Sequence, residues 1–272
     1  MTAPISLTPF DLTMAGALIV LDAVISGLLR LNLHGKLIWA SVRMVLQLVA
    51  IGFILRLAFQ LQSPAATLAI LLAMVLIAAR EVAARPEKRF TGMATLAIGA
   101  SSVAVSTFVT AAFALTTALR PHPWFDPRYA IPLVGILLGN ILNAASLSLD
   151  GLTGRISREK SAIEARLCLG ATYWEAVTPL VRDAVRKGLL PIINQMSAAG
   201  VVTLPGIMTG QILAGMDPLE AAKYQILLIF LLSGGSGLAA VAVVYLAAMR
   251  LTDDRQRLRI DRLTAKARGS RP

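Results

Sequence analysis

Seven apolar runs, at about 8–29, 37–60, 64–79, 92–119, 129–149, 188–214 and 219–249, constrain this chain more than any single residue does. A run of about 18 residues or more, wound as a helix, covers a hydrocarbon core roughly 30 Å thick. No water in that core can satisfy exposed peptide groups, so a spanning segment must close its own hydrogen bonds. The pattern predicts an all-α polytopic membrane protein of about seven transmembrane helices. Its transmembrane domain covers 1–249, and a basic tail covers 250–272. With 56% hydrophobic residues, the chain is too apolar for an ordinary soluble domain.

The net charge of +11 would suggest a nucleic-acid partner in a soluble protein, but the placement of the charges argues for membrane topology instead. Lys and Arg fall at 30 and 36 after the first run, and at 80, 85, 88 and 89 after the third. Seven more lie between the fifth and sixth, and eight from Arg250 to Arg271. The alternate side holds Arg120, Arg128 and Lys223, a division of 21 against 3. The positive-inside rule then sets the N-terminus outside and the C-terminus in the cytoplasm, as expected for a bacterial inner-membrane protein. The first residues lack a basic stretch ahead of the first run, and Asp11 lies near its start, so no cleavable signal is read there.

Several chemistries find no support. There is no G-x-x-x-x-G-K-[ST] loop for nucleotide phosphates, and the longest connection, about 38 residues, is short for a catalytic domain. Cys168 is the single cysteine, and His34 and His122 fall on opposite sides, so neither residue type assembles a metal site. The chain reads as no enzyme and as binding no cofactor itself, and these residues specify no metal.

The least membrane-like connection is 157–187, which contains "SAIEARLCLGATYWEAV" at 161–177. Ser157 or Ser161 could cap a helix, and Ser161 with Glu164 has capping-box spacing. Ile163, Leu167 and Trp174 form an apolar stripe opposite Arg158, Lys160, Glu164 and Arg166. Gly170 is placed to end the first helix in a left-handed cap, and Thr172 with Glu175 has the spacing of a second capping box. The plain reading is an interfacial elbow anchored by Trp174 and basic residues.

Glu164-Ala165-Arg166-Leu-Cys-Leu-Gly170 also resembles the E-A-A-x-x-x-G coupling loop of ABC-transporter permeases, with Arg166 where the second alanine usually stands. Further on, "GLLPIINQMSAAGVVTLPGIMTGQILAGMDPLEAAKYQI" spans 188–226. Glu164 to Glu175, Pro191 to Met196, Leu204 to Gly215 and Asp217 to Ala221 together resemble the Fet-type permease family. That family includes bacterial iron-export permeases and plant permeases linked to aluminium tolerance. The resemblance implies a permease subunit that works as a homodimer and docks a separate ABC ATP-binding subunit, which carries ATP and Mg. It implies outward transport of a metal ion, iron in the bacterial members. Glu164, Ala165, Arg166, Gly170, Ala171, Thr172 and Glu175 would then couple to the ATPase.

Within 188–214, Pro191 and Pro205 each remove a backbone donor, and Gly206 and Gly210 allow close helix approach. Asn194, Gln195, Met196, Thr203, Pro205, Gly206, Met208, Thr209 and Gln211 make this the span expected to line a pathway, unless the prolines and glycines serve packing alone. Asp217 followed by Pro218 and Glu220 is a helix-start signal. Asp22 and Arg43 lie inside apolar runs, where each costs about 2.5–3.5 kcal/mol at mid-helix. Counted from the shared turn they sit at similar depth, so a buried ion pair, joined by Gln47, is expected. Asn140 and Asn143 are expected to make packing hydrogen bonds. The tail, with Leu258, Ile260 and Leu263 among its charges, is expected to rest on anionic lipid or fray into solvent. Two other functions stay open: an ABC permease for a sugar nucleotide or amphipathic cargo, and a seven-span channel or sensor that needs no ATPase.

Overall fold

The computed structural model describes residues 8–61, 63–119 and 126–265; Arg120, His122 and the tail beyond 265 lie outside them. The chain is mostly helical, and six helices are long and apolar enough to cross a membrane: Phe10–Leu28, His34–Leu61, Pro64–Ala84, Ala94–Thr117, Pro127–Arg158 and Pro218–Arg250. It divides into two compact units, Met1–Ser63 with Leu213–Gly215, and Pro64–Ile212 with Met216–Pro272.

The first unit is a helical hairpin of α1 (Pro9–Leu28) and α2 (His34–Leu61). Thr8 and Asp11 close a reciprocal capping box at its start, with Pro9 in the first turn. At the connecting turn the hydroxyl of Ser26 accepts the Leu33 N–H at 3.0 Å, while Arg30 and Asn32 take positive φ values of 54° and 55°. The expected ion pair between Asp22 and Arg43 is not formed: both side chains are exposed, and neither makes an ion pair among the described residues. Asp22 stands six residues before the end of α1, about 9 Å of rise, and Arg43 nine residues into α2, about 14 Å. Measured from the helix ends the two charges are offset by about 4 to 5 Å rather than level.

The second unit contains α3 (Pro64–Ala84), β1 (Lys88–Phe90), α4 (Ala94–Phe113, running on as a π-helical turn to Leu119), α5 (Pro127–Arg158), α6 (Lys160–Cys168), α7 (Tyr173–Ala198), α8 (Gly206–Leu213) and α9 (Pro218–Arg250), ending in β2 (Leu263–Ala265). Helix α5 is its axis. Leu137, Ile141, Ala145, Leu149, Leu152 and Ile156 are all essentially buried, among residues of α3, α4, α7 and α9. The crossing of α5 and α7 is backbone-close. A Cβ on Gly188 would lie 2.7 Å from the Ala144 carbonyl and would overlap the Ser148 hydroxyl, so only glycine fits.

The expected sixth span, 188–214, is two helices rather than one. Helix α7 passes through Pro179 and Pro191 without ending and stops at Ala198. Between it and α8 the chain closes its own bonds: the Ala198 carbonyl accepts from Val202 at 3.0 Å and Thr203 at 3.1 Å, and the Gly200 N–H donates to Thr203 at 2.9 Å. Helix α7 falls outside the six apolar helices because Arg182, Asp183, Arg186 and Lys187 lie across its middle. Downstream, Asp217 Oδ1 accepts from Leu219 and Glu220, the cap its spacing predicted.

The tail neither frays nor lies free as far as Ala265. Arg262 Nη1 donates to the carbonyls of Arg250 (2.7 Å) and Thr252 (3.1 Å), covering two acceptors at the end of α9. Leu258, Ile260 and Leu263 pack against the core, and Leu263–Ala265 pairs antiparallel with Lys88–Phe90. A basic segment thus becomes a strap, because three apolar side chains at irregular spacing all find the underside of the bundle. With the contacts of Tyr173 to Ala248, Arg155 to Asp183 and Glu87 to Asp150, the strap gathers the basic connections of this unit at one end.

A rigid elbow and a broken helix

The elbow is built from two helix ends that each satisfy their own backbone. Helix α6 stops in a Schellman turn: Gly170 has φ +92°, its N–H donates to the Leu167 carbonyl at 3.0 Å, and the Ala171 N–H donates to Arg166 at 3.1 Å. Helix α7 begins two residues later at the Thr172 cap. The Thr172 hydroxyl accepts the Glu175 N–H at 3.3 Å, and Glu175 Oε2 accepts the Thr172 N–H at 2.7 Å. These bonds hold the Glu175 carboxyl below its usual pKa, the Thr172 backbone N–H contributing most.

The start of α6 differs from expectation. Ser157 lies within α5, its hydroxyl donating to the Thr153 carbonyl, and Ser161 lies within α6 rather than capping it. Helix α5 runs nine residues past its expected end at 149, so only Glu159 separates it from α6. The Glu159 carboxylate is held by Arg155 at 2.8 Å and caps nothing.

The underside of the elbow is fixed to the bundle. Ile163 and Tyr173 are 2% and 1% exposed, with Ala176 and Val177 buried beside them. The Tyr173 hydroxyl donates to the Ala248 carbonyl at 2.8 Å, and its N–H donates to Gln256 Oε1 of the strap at 3.0 Å. Burial pushes the Tyr173 phenol pKa up. Arg166 Nη1 donates to the Ala176 carbonyl at 3.3 Å, so this residue braces α6 against α7. Trp174 stacks on Tyr245 with ring centroids 5.8 Å apart. The outer face is open: Glu164, Ala165, Gly170, Thr172 and Glu175 are exposed, Ala171 is half-buried, and Leu169 is 89% exposed.

Next to the elbow is a charged cavity of about 200 Å³ that sequence reasoning missed. Asp150, Arg155, Asp183 and Lys187 line it together with Glu87, Lys88 and Arg158. Arg155 bridges to Asp183, Lys187 to Asp150 at 3.5 Å, and Asp150 Oδ1 accepts the Glu87 N–H at 3.2 Å. The signal lay in Asp150, Arg155 and Arg158 following an apolar run, but it requires α5 to continue past the membrane. Asn143 accepts from Arg85 at 2.6 Å, a bond between elements, whereas Asn140 donates to the Ile136 carbonyl of its own helix rather than packing against a neighbour.

The expected pathway residues flank the break. Asn194, Met196, Thr203 and Gly206 are exposed, while Gln195, Pro205, Met208, Thr209 and Gln211 are half-buried. The Thr203 and Thr209 hydroxyls return to the carbonyls of Ala198 and Pro205, and Gln211 Oε1 is buried without a partner. None of these residues lines the charged cavity. Among the described residues no three His, Cys, Asp or Glu side chains gather as a metal-ligand group.

Comparison with known proteins adds sequence relationships to this geometry. A model of the uncharacterised protein family UPF0014 matches residues 9–252. The UPF0014 membrane protein slr1647 of Synechocystis is 42% identical, covering 78% of this chain and 82% of its own length. The probable iron export permease protein FetB of Escherichia coli is 31% identical over 96% of this chain and 98% of its own. The UPF0014 membrane protein STAR2 of rice is 34% identical over 85% and 79%. No solved structure matches the chain. A family match over nearly the whole length, with relatives at these identities, establishes that the chain belongs to the UPF0014 family of membrane proteins.

Proposed function

We propose that the chain is the membrane-spanning permease subunit of an ABC transporter. Two copies form the pathway, and a separate ATP-binding subunit docks on each elbow and carries ATP and Mg. The observation that carries this reading is the elbow itself. It is closed at both helix ends, braced by Arg166, rooted through Tyr173, and open on the face bearing Glu164 to Gly170. A partner pressing on such a lever moves α7 as a unit, because the elbow has no slack in which to absorb the displacement. Helix α7 transmits that movement along its close contact with α5 and up to the break at 199–205.

The cargo is a metal ion moved outward, a reading supported by the Escherichia coli relative, which is named a probable iron export permease. Met196, Met208, Asn194, Gln195, Thr203, Thr209 and Gln211 would offer neutral sulfur and oxygen donors, suited to passing an ion along rather than retaining it. The basic end of the second unit faces the cytoplasm of a bacterial inner membrane, by the positive-inside rule. Helix α7 starts at that end and α9 starts at the other, so the α7–α8 segment completes a seventh, broken crossing that leaves the N-terminus outside.

The test is co-purification with the ATPase subunit, followed by metal flux in proteoliposomes against a panel of divalent cations. Glu164→Lys should abolish association while leaving membrane insertion intact. Normal association in that variant refutes the docking site, and flux through the lone chain without ATP would replace the transporter with a channel.

A further inference from the structure

The charged cavity beside the elbow lies wholly within the second unit, walled by α5, α7 and the segment entering β1. Its floor is α5 at Gly151 and Gly154, where missing side chains leave room for two long cations. A Cβ on Gly151 would lie 3.1 Å from Lys187 Cδ, and one on Gly154 3.5 Å from Arg158 Nη1. The Lys187 stem and the Arg158 guanidinium thus both lie against bare helix. Most of the carboxylates are already held. Asp183 is bridged by Arg155, which also holds Glu159, and Asp150 is shared by Lys187 and the Glu87 N–H. Arg158 and half-buried Lys88 make no ion pair among the described residues; against them stands one unpaired carboxylate of the lining, the exposed Glu87.

Depth limits what can balance those two cations. Asp150 directly follows the apolar run that ends at 149, and Lys187 directly precedes the run from 188. The upper rim is therefore at the edge of the hydrocarbon, and the headgroup layer occupies about the next 5–7 Å. The hairpin brings no carboxylate to this level however it lies: Asp11 and Asp22 belong to the spanning helix α1, and Arg30 and Lys36 flank its turn. Residues 266–272 hold Lys266, Arg268 and Arg271 and no Asp or Glu.

We infer that the cavity binds the phosphate of an anionic lipid headgroup, from the leaflet at the basic end of the second unit. Arg158 and Lys88 are its direct cations, and Lys187 turns from Asp150 as a third. Basic recesses between membrane helices at headgroup level suit phosphate, because low-dielectric walls strengthen each contact. Arg158 offers a planar fork to two phosphate oxygens, whereas the lysines act as point charges. A cavity of about 200 Å³ has room for a phosphate and its ester carbons, while the acyl chains remain above the rim. The Lys187–Asp150 bridge, at 3.5 Å with both side chains partly exposed, is the one that yields, and Asp150 keeps the Glu87 N–H. A dissolved phosphate presents the same oxygens, and the test separates the two sources. The inference needs neither the ATPase nor the cargo proposed above; its consequence is that a lipid ties α5, α7 and β1 together beside the elbow.

The test titrates the full-length chain in neutral detergent with mixed micelles of phosphatidylglycerol or phosphatidylcholine, and separately with inorganic phosphate. The readouts are Tm and the lipid retained in native mass spectrometry. Phosphatidylglycerol should raise Tm and stay bound as one molecule per chain; phosphatidylcholine, which carries its own cation beside the phosphate, should do neither. Arg158→Gln with Lys88→Gln should weaken binding roughly thirtyfold, each single change accounting for about fivefold. Without lipid these variants should melt with the wild type, and the single variants carry the test if the double one melts early. Arg182→Gln with Arg186→Gln removes as much charge from exposed positions of α7 outside the cavity, and should leave the response unchanged. Equal loss in both double variants reduces the effect to general surface attraction and overturns the site. So does a response that survives without Arg158 and Lys88, an equal response to phosphatidylcholine, or no response of the wild type to any probe. A shift from inorganic phosphate that needs Arg158 and Lys88, with none from the lipid, supports the phosphate site and overturns its lipid source.

Discussion

The hydroxyl of Tyr173, in the first turn of α7, donates to the Ala248 carbonyl in the last turn of α9 at 2.8 Å. That carbonyl also accepts the Leu251 N–H at 3.0 Å, so the elbow adds a second donor to it at the close of α9. One side chain thus joins the start of α7 to the close of α9.

Tyr173→Phe keeps the ring and removes one hydrogen bond, leaving the Ala248 carbonyl to the Leu251 N–H alone, so it should lower stability by about 0.5–1.5 kcal/mol, read as a fall in Tm in detergent. Because burial raises the phenol above its ordinary value of 10.0, its contribution is complete below pH 10 and declines as pH rises further toward the folded value. The wild type should therefore lose stability above pH 10 more steeply than the phenylalanine variant. Parallel alkaline curves would show that the phenol is not the group responsible.

Gly170 sits at φ +92°, where a Cβ is strained whatever space surrounds it. Gly170→Ala should cost about 1–2 kcal/mol and loosen the angle between α6 and α7. The expected readout is a lower Tm together with weaker retention of the ATPase subunit, while Ala165→Gly should leave the angle intact.

Thr172→Ala removes the cap of α7, a change worth about 1 kcal/mol at neutral pH. The Thr172 hydroxyl also donates to Glu175 Oε2 at 2.8 Å, the part of the carboxyl's depression below 4.5 that the variant loses, so that bond contributes above 4.5 and is lost as pH falls through the depressed value. The stability gap between wild type and variant should narrow on acidification below pH 4.5. A gap independent of pH would mean that the hydroxyl caps alone.

Gly188→Ala tests the closest approach in the bundle. Its new methyl meets the Ser148 hydroxyl and, at 2.7 Å, the Ala144 carbonyl, so α5 and α7 must separate, at a cost of about 1–3 kcal/mol. Ser148→Ala does not clear the carbonyl and should restore only part of the loss. Full restoration in the double variant would assign the crossing to the serine alone.

What was legible from residues alone is what is settled locally. The Gly170 stop, the Thr172–Glu175 box and the Asp217 cap each depend on a few adjacent residues, and the structure has all three. Ser161–Glu164 has the same local signature and fails, because α5 persists to Arg158 and leaves no open helix start for Ser161 to cap. Helix α5 persists through contacts with α7 and β1 that no window of sequence contains. The Arg155–Asp183 bridge and the pairing of Lys88–Phe90 with Leu263–Ala265 join residues 28 to nearly 180 positions apart, beyond any periodicity. Asp22 and Arg43 stand out in the sequence as ions inside apolar runs. Their facing directions depend on which stripe of α2 meets α1, and that is a packing outcome.

The strap gives the sharpest contrast between charge and packing. If the tail were only a basic patch on lipid headgroups, removing its charges should matter and its apolar residues should not. The structure implies the reverse. Deleting 252–272 removes the Arg262 bonds to the end of α9, the Gln256 acceptor for Tyr173, and the packing of Leu258, Ile260 and Leu263. Each fully buried aliphatic side chain is worth about 1.5–3 kcal/mol, and these three are partly buried. The truncated chain should lose several degrees of Tm and become cleavable by protease within 157–187, since α7 loses a donor's partner at its first residue. Replacing Lys266, Arg268 and Arg271 with glutamine changes the charge beyond the strap, and that variant should match the wild type on both measures. Gln256→Ala should fall between them, loosening the elbow while β1 and β2 stay paired. Equal behaviour of the truncation and the glutamine variant would return the tail to a purely electrostatic role.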